Sequence, residues 1–426
     1  MKESSWELTK QQYPLCPATT DSIYQGTTIQ WNVNKIDEKG ILRSFTLYIP
    51  PNFCSNHYSD PNDDSNSVPL RIILAVHGYG GRPIQEIKKW QHVAETLNSV
   101  IIAPMGTETT EGHRLGWNAI ECCGDPVKNE IDDLDFVIHG VMDIFLSQFS
   151  FSGGRFSSSE YKRIHVIATG FSNGGFFTSL LGISQDRPEW LVGIVPTGGY
   201  QYDIETYLNT HQSLAVFMHH GGKDSVVNPN GCCIANDPGK RKGSSKSNCF
   251  FDIGVKQQKC QTIQSVFQIW TQINDCSIDN FGSRRSEEDH GDNTSESECF
   301  VGNDCVEPTN FCMWTNEGHS WGATFPGIEM TEMWMKDVFD RAETKTLAPQ
   351  VDTNVMVTPK HYDTSGKSVF LLASLILLGF IMLVVTCSYF KRRNFTRTSH
   401  KRKVSEEEER SILEEEMMVL STDKHR

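Results

Sequence analysis

Short runs of consecutive apolar residues, each released into glycines or a charged turn, alternate along the first half of the chain with stretches of helical character. Residues 71–77 (RIILAVH), 99–104 (SVIIAP), 163–168 (RIHVIA), 191–196 (LVGIVP) and 214–218 (LAVFM) have this character. They are short and apolar without alternation, which predicts strands covered on both faces. Residues 41–50 (ILRSFTLYIP) alternate instead and predict an edge strand. Helices are predicted over 88–97, 132–145 and 174–181, and further along over 260–270 and 327–342. Strands separated by helices in this way predict an α/β fold built on a mostly parallel, doubly covered sheet. No internal repeat interrupts the series.

After Asp224 the pattern changes. Residues 228–313 are rich in Gly, Ser, Lys, Asn and Cys, and read as an insertion in a domain spanning 41–343, with residues 1–40 as an N-terminal extension. The most polar stretch, 284–298 (RRSEEDHGDNTSESE), predicts a mobile surface loop, and its Asn293-Thr294-Ser295 is a glycosylation acceptor triplet. A stalk over 344–368 leads into VFLLASLILLGFIMLVVTCSYF, residues 369–390, which carries no charge. At the helical rise this stretch crosses about 33 Å, so one C-terminal transmembrane helix is expected.

Lys391, Arg392, Arg393, Arg397, Lys401, Arg402 and Lys403 follow with no acid among them. Such a flank predicts a single-pass protein with a cytoplasmic tail over 391–426 and the large N-terminal part extracellular or lumenal. The opening MKESSWELTKQQYPLCPATT has no apolar core of a signal peptide. Either the N-terminus is incomplete or the span serves as the insertion signal.

A formal charge of −14 argues against a general nucleic-acid binder. The membrane is the partner expected from the span, with no protein partner indicated. Of 13 cysteines, Cys387 lies in the span and 12 precede it. An even number without two Cys-x-x-Cys knuckles favours disulfides in an oxidising compartment over zinc, pinning the long excursion between Asp224 and His319.

The chemistry centres on His165 to Gly182, where an apolar segment enters Gly170-Phe171-Ser172-Asn173-Gly174-Gly175 and leaves as a second apolar segment. Strand, tight turn and helix around one serine are the context of a nucleophile elbow. A serine nucleophile needs a histidine to take its proton and a carboxylate to hold that histidine in the right tautomer. Asp224 follows the apolar run LAVFM, and His319 lies in NEGHSW beyond the insertion, giving the order Ser, Asp, His. His219 and His220 precede the acid and are expected to shape its loop. For the oxyanion, backbone donors are expected at Asn173, just after the serine, and at Tyr79 in His77-Gly78-Tyr79-Gly80-Gly81. This chemistry calls for no metal and no cofactor.

VHGYGG, GWNAIECCG with the following Asp132-Asp133, TGFSNGG, HHGGKDSVV and GHSW together resemble the α/β-hydrolase esterase family that includes polyhydroxybutyrate depolymerases and feruloyl esterases. The resemblance covers about residues 41–338. It implies an α/β-hydrolase fold, Ser172 as nucleophile, Asp224 as acid, His319 as base, and an oxyanion site at Tyr79 and Asn173. It also matches Trp117 and Trp321 to family aromatics, expected here to contact an acyl group. Hydroxyacyl or hydroxycinnamoyl esters are the substrates implied. An acyl-peptidase or thioesterase with the same triad, and an inactive surface-binding protein on the same fold, stand as alternatives. The long insertion and the C-terminal span depart from the family pattern and weaken the substrate carry-over.

Overall fold

The computed structural model describes residues 6–9, 26–35, 42–51, 53, 69–109, 113–120, 122–148, 163–201, 204, 212–231, 261–285, 297–320 and 327–347. The apolar runs assemble into one sheet. Its strands are β1 (Trp6–Leu8), β2 (Thr27–Lys35), β3 (Leu42–Ile49), β4 (Leu70–Val76), β5 (Val100–Pro104), β8 (Ile164–Phe171), β9 (Leu191–Thr197), β10 (Ala215–Gly221), β11 (Ser277–Arg285), β12 (Ser297–Asn303) and β13 (Thr309–Trp314). A separate two-stranded ribbon, β6 (Thr107–Glu108) and β7 (Leu115–Gly116), stands between β5 and the next segment. The sheet order is β1-β2-β3-β5-β4-β8-β9-β10-β13-β12-β11. Pairing is parallel from β5 through β13 and antiparallel towards both edges.

Alternate residues of the central strands serve opposite faces, as the pleat requires. Ile72, Leu74 and Val76 of β4 enter one buried cluster and Ile73 and Ala75 the other. The first cluster packs under α2 (Asn173–Ile183) and α3 (Ile263–Ile273), through Phe177, Leu181, Phe267 and Trp270. The second packs under α1 (Pro83–Leu97) and α4 (Gly327–Leu347), through Ile87, Trp90, Val93, Trp334 and Phe339. Each apolar side chain so buried contributes about 1.5–3 kcal/mol relative to exposure. A mixed sheet with parallel centre, helices on both faces and a strand-turn-helix at its middle is α/β-hydrolase-like.

Several expectations are corrected. The segment 42–49 is not an edge strand, because β2, from the supposed extension, pairs along its whole length in antiparallel register. The Cys-rich insertion supplies part of the sheet itself, with β13 parallel to β10 and Met218 opposite Phe311. The expected helix over 132–145 is centred on a π-helical stretch, Phe136–Asp143.

The expected transmembrane helix is also corrected, since among the described residues no helix is long and apolar enough to cross a membrane. The last described helix, α4, carries Glu329, Glu332, Lys336, Asp337, Asp340 and Arg341 along its length. Single-pass anchoring, the membrane as partner, and the extracellular or lumenal placement drawn from them therefore have no element among the described residues. The stretch 369–390 and the glycosylation triplet lie outside the described residues. The cysteine expectation changes as well. Among the described residues Cys276 joins Cys305 and Cys299 joins Cys312, bonds that staple neighbouring strands and turns instead of closing the full excursion from Asp224 to His319.

Candidate active site

β8 carries the chain to Ser172, which sits at φ 55° and ψ −121°. Side chains rarely adopt this region, and strain of this kind collects at functional turns. Hydrogen bonds over-determine it: the Ser172 amide donates to Thr197 O at 2.8 Å, and the Phe176 amide donates to Ser172 O at 2.9 Å. Gly174 allows the turn to close. A Cβ there would run into the carbonyl oxygens of Val76 and His77, the latter at 2.6 Å.

Because β10 and β13 are parallel neighbours, the loops after Gly221 and Trp314 leave the same end of the sheet. The Gly222 amide donates to Trp314 O at 2.7 Å and the Lys223 amide to Glu317 O at 2.8 Å, tying one loop to the other. Asp224 and His319 are thereby brought to Ser172. His319 Nδ1 is 2.7 Å from Asp224 Oδ2, and Nε2 is 2.8 Å from Ser172 Oγ. An ionised carboxylate only accepts, so Nδ1 carries the proton and Nε2 offers its lone pair to the serine hydroxyl. The second oxygen of Asp224 accepts the amides of Val226 and Val227, each at 2.8 Å. Burial works against the Asp224 charge, but His319, His220 and the Val227 amide together hold its carboxyl below the usual carboxylate range.

The turn at Gly78 lies against the serine: a Cβ on Gly78 would stand 3.1 Å from Phe171 O and 3.6 Å from Ser172 Cβ. Within it the Gly80 and Gly81 amides donate to Leu115 O and Gly78 O, at 2.7 and 2.9 Å. Tyr79 is partly buried beside them. His77, read from sequence only as part of this turn, is its clamp. Its Nε2 accepts the Gly106 amide at 3.0 Å, so Nδ1 holds the proton and donates to Gly78 O at 2.8 Å.

Trp117, expected to contact an acyl group, lies inside the fold. It is fully buried, stacks on Phe177 at 5.1 Å and donates from Nε1 to His77 O at 2.9 Å. Its backbone is gripped by the Asn173 side chain, whose Oδ1 accepts the Trp117 amide at 2.8 Å and whose Nδ2 donates to Trp117 O at 3.1 Å. Trp321 lies outside the described residues.

Beneath this loop a buried ion pair escaped sequence reasoning. Arg43 Nη1 donates to Asp133 Oδ1 at 2.5 Å, and Asp133 Oδ2 accepts the Asn118 amide at 2.6 Å. The guanidinium also lies 3.7 Å from the Phe136 ring centroid. Removing one partner of a buried pair strands the other charge. Asp133→Ala is expected to lower unfolding free energy by about 3–5 kcal/mol, measured by urea denaturation; a change under about 1 kcal/mol would contradict this account of the pair.

Three histidines give a pH signature. Burial pushes His77 down to about 4, His219 to about 3 and His220 to about 4. Unfolded imidazoles titrate near 6.5, so between these values the unfolded chain binds more protons than the folded one. Stability is full above about pH 6.5 and falls as pH drops towards 4. From His77 alone the loss between pH 7 and pH 5 is about 2 kcal/mol. Denaturant midpoints that stay flat over that interval would contradict the neutral, buried state of these rings.

No protein-family model and no curated protein matches the chain. Among solved structures it is similar to an S-formylglutathione hydrolase from Agrobacterium tumefaciens, at 10% identity over 75% of this chain and 96% of that one, with a TM-score of 0.37. An acetyl xylan esterase from Aspergillus awamori matches at 12% identity, 69% and 93% coverage and a TM-score of 0.35. Acyl-protein thioesterase 2 from Zea mays matches at 14% identity, 66% and 97% coverage and a TM-score of 0.33. Likenesses this distant carry no functional argument, and the fold assignment rests on the sheet order and the turn at Ser172.

Proposed function

We propose that the protein is a serine hydrolase of carboxylic esters. The alignment of Asp224, His319 and Ser172 through hydrogen bonds of 2.7 and 2.8 Å carries this reading. Ser172 Oγ attacks the ester carbonyl carbon while its proton passes to His319 Nε2. Negative charge moves to the carbonyl oxygen, where the amides of Tyr79 and Asn173 receive it. The imidazolium, paired with the Asp224 carboxylate, returns the proton to the departing alkoxide and leaves an acyl-enzyme. Water then repeats the sequence, releasing the acid and restoring Ser172.

For substrate, we assign hydroxyacyl or hydroxycinnamoyl esters. The half-buried Phe171 ring, 4.8 Å from the His319 ring, puts aromatic surface beside the reacting atoms, which suits a flat or short acyl group. Mass analysis of products after incubating the full chain separately with 3-hydroxybutyrate oligomers, feruloylated oligosaccharides, thioesters and acyl-peptides tests this. Release of 3-hydroxybutyrate or ferulate supports the assignment. Turnover confined to thioesters or acyl-peptides would overturn the substrate class and keep the nucleophile.

A further inference from the structure

His220 was expected only to shape a loop, yet it stands directly behind the acid. It is fully buried, as is Tyr200, whose ring centroid lies 5.5 Å away. Its Nε2 is 2.8 Å from Val227 O and 3.5 Å from Asp224 Oδ2. A carbonyl oxygen can only accept, so Nε2 carries a proton. That N–H donates to the Val227 carbonyl, and the ring edge that carries it stands 3.5 Å from the same carboxylate oxygen that receives His319 Nδ1. Oδ1 is already occupied by two amides, so Oδ2 is the oxygen free to turn if nothing but His319 holds it. His220 and His319 therefore flank one oxygen from two sides.

The other edge of the ring completes the chain. His220 Nδ1 is 3.3 Å from the Tyr200 hydroxyl, and that hydroxyl donates to His219 O. The His219 carbonyl also accepts the Gly198 amide at 3.0 Å. Nε2 is thus bonded to the loop after Asp224, while the Nδ1 edge rests against the Tyr200 hydroxyl on the turn after β9. The titratable groups facing it are Asp224, His319 and Tyr200. Burial keeps it neutral near neutral pH, so it offers an N–H dipole to the carboxylate in place of a second full positive charge.

We propose that His220 is a positioning residue for the acid of the triad: its Nε2–H, donated to Val227 O, holds the loop whose Val226 and Val227 amides grip Asp224 Oδ1, and its positive edge, 3.5 Å from Oδ2, draws on the charge of that oxygen. The proposal rests on reading Ser172, Asp224 and His319 as the triad. Its action runs through Asp224 and touches no substrate, so the effect belongs on the chemical step and on the pH at which His319 works as a base. Without the N–H, more of the carboxylate charge faces His319, the imidazolium is favoured, and the base is lost at higher pH.

Rates of labelling by a fluorophosphonate, resolved into a maximal rate and an apparent affinity across pH, test this on the full chain. Gln at 220 places an amide N–H close to where Nε2 stood, whereas the amide of Asn is too short to reach the Val227 carbonyl. His220→Gln is expected to keep the maximal rate within about threefold. His220→Asn and His220→Leu are expected to lose about tenfold or more in maximal rate, with apparent affinity within about twofold, and to move the acid limb of the profile up by about half a pH unit. Either of the last two that retains the wild-type circular dichroism spectrum suffices for the comparison. Equal rates and superimposable acid limbs in the Gln variant and the Asn or Leu variant would overturn the proposal. Labelling that persists in Ser172→Ala would instead overturn the triad reading itself, and His220 with it.

Discussion

Replacing Ser172 with Ala is expected to lower kcat on any productive ester by about 10⁵- to 10⁶-fold, with substrate binding largely kept. The size of the effect follows from where the hydroxyl stands. Its oxygen is the only reactive atom within 2.8 Å of His319 Nε2 among the described contacts, and the elbow holds it there at a backbone conformation stabilised by Thr197 and Phe176. Alanine keeps Cβ, so the fold should tolerate the change. Residual hydrolysis would come from the oxyanion donors acting on water, worth about 10³- to 10⁴-fold over the uncatalysed reaction. Steady-state kinetics on the substrate found by product mass gives the number. A variant retaining a tenth of wild-type kcat would remove Ser172 from the mechanism.

Asp224→Asn is expected to cost about 10⁴-fold in kcat while leaving the protein folded. The substitution is nearly isosteric, and an amide oxygen at Oδ1 can still accept the Val226 and Val227 amides. The group left facing His319 Nδ1 is then an NH₂ donor. To pair with it, Nδ1 must give up its proton, which moves the proton to Nε2 and leaves no lone pair for the Ser172 hydroxyl. Part of the loss should return at high pH, where hydroxide or an alternative base takes the serine proton. If kcat fell less than tenfold at pH 7, Asp224 would be a turn residue and not the partner that sets the tautomer.

Ser172, Asp224 and His319 were legible in the sequence because each sits in a short local pattern. An apolar run releases the chain into glycines for the first two, and Gly-His-Ser-Trp marks the third. What the sequence does not contain is β13. Thr309–Trp314 reads TNFCMW, too short and too polar to stand out amid a Cys-rich stretch. Its place beside β10 is decided by parallel register and by Phe300 and Phe267 packing on Phe311, contacts between segments far apart in the chain. Yet β13 is what returns His319 to the end of the sheet where Asp224 waits.

The surroundings of Trp117 are hidden for a related reason. An aromatic near a catalytic motif reads as a substrate contact, but here its amide and indole N–H are spent on Asn173 and His77, and its ring is closed off by Phe177. Likewise, β1 and β2 were hidden because Thr27–Lys35 alternates weakly and gains its place only by pairing with β3. Arg43 and Asp133 are 90 residues apart, and nothing local to either marks them as partners.

We propose one serine, Ser172 between β8 and α2, as the nucleophile of an acyl-transfer cycle. Peptide mapping of the full chain after reaction with a fluorophosphonate tests it most directly. The account predicts a single phosphonylated peptide bearing the adduct on Ser172, absent when His319 is replaced by Ala. An unlabelled Ser172, or an adduct that forms equally well without His319, would contradict it.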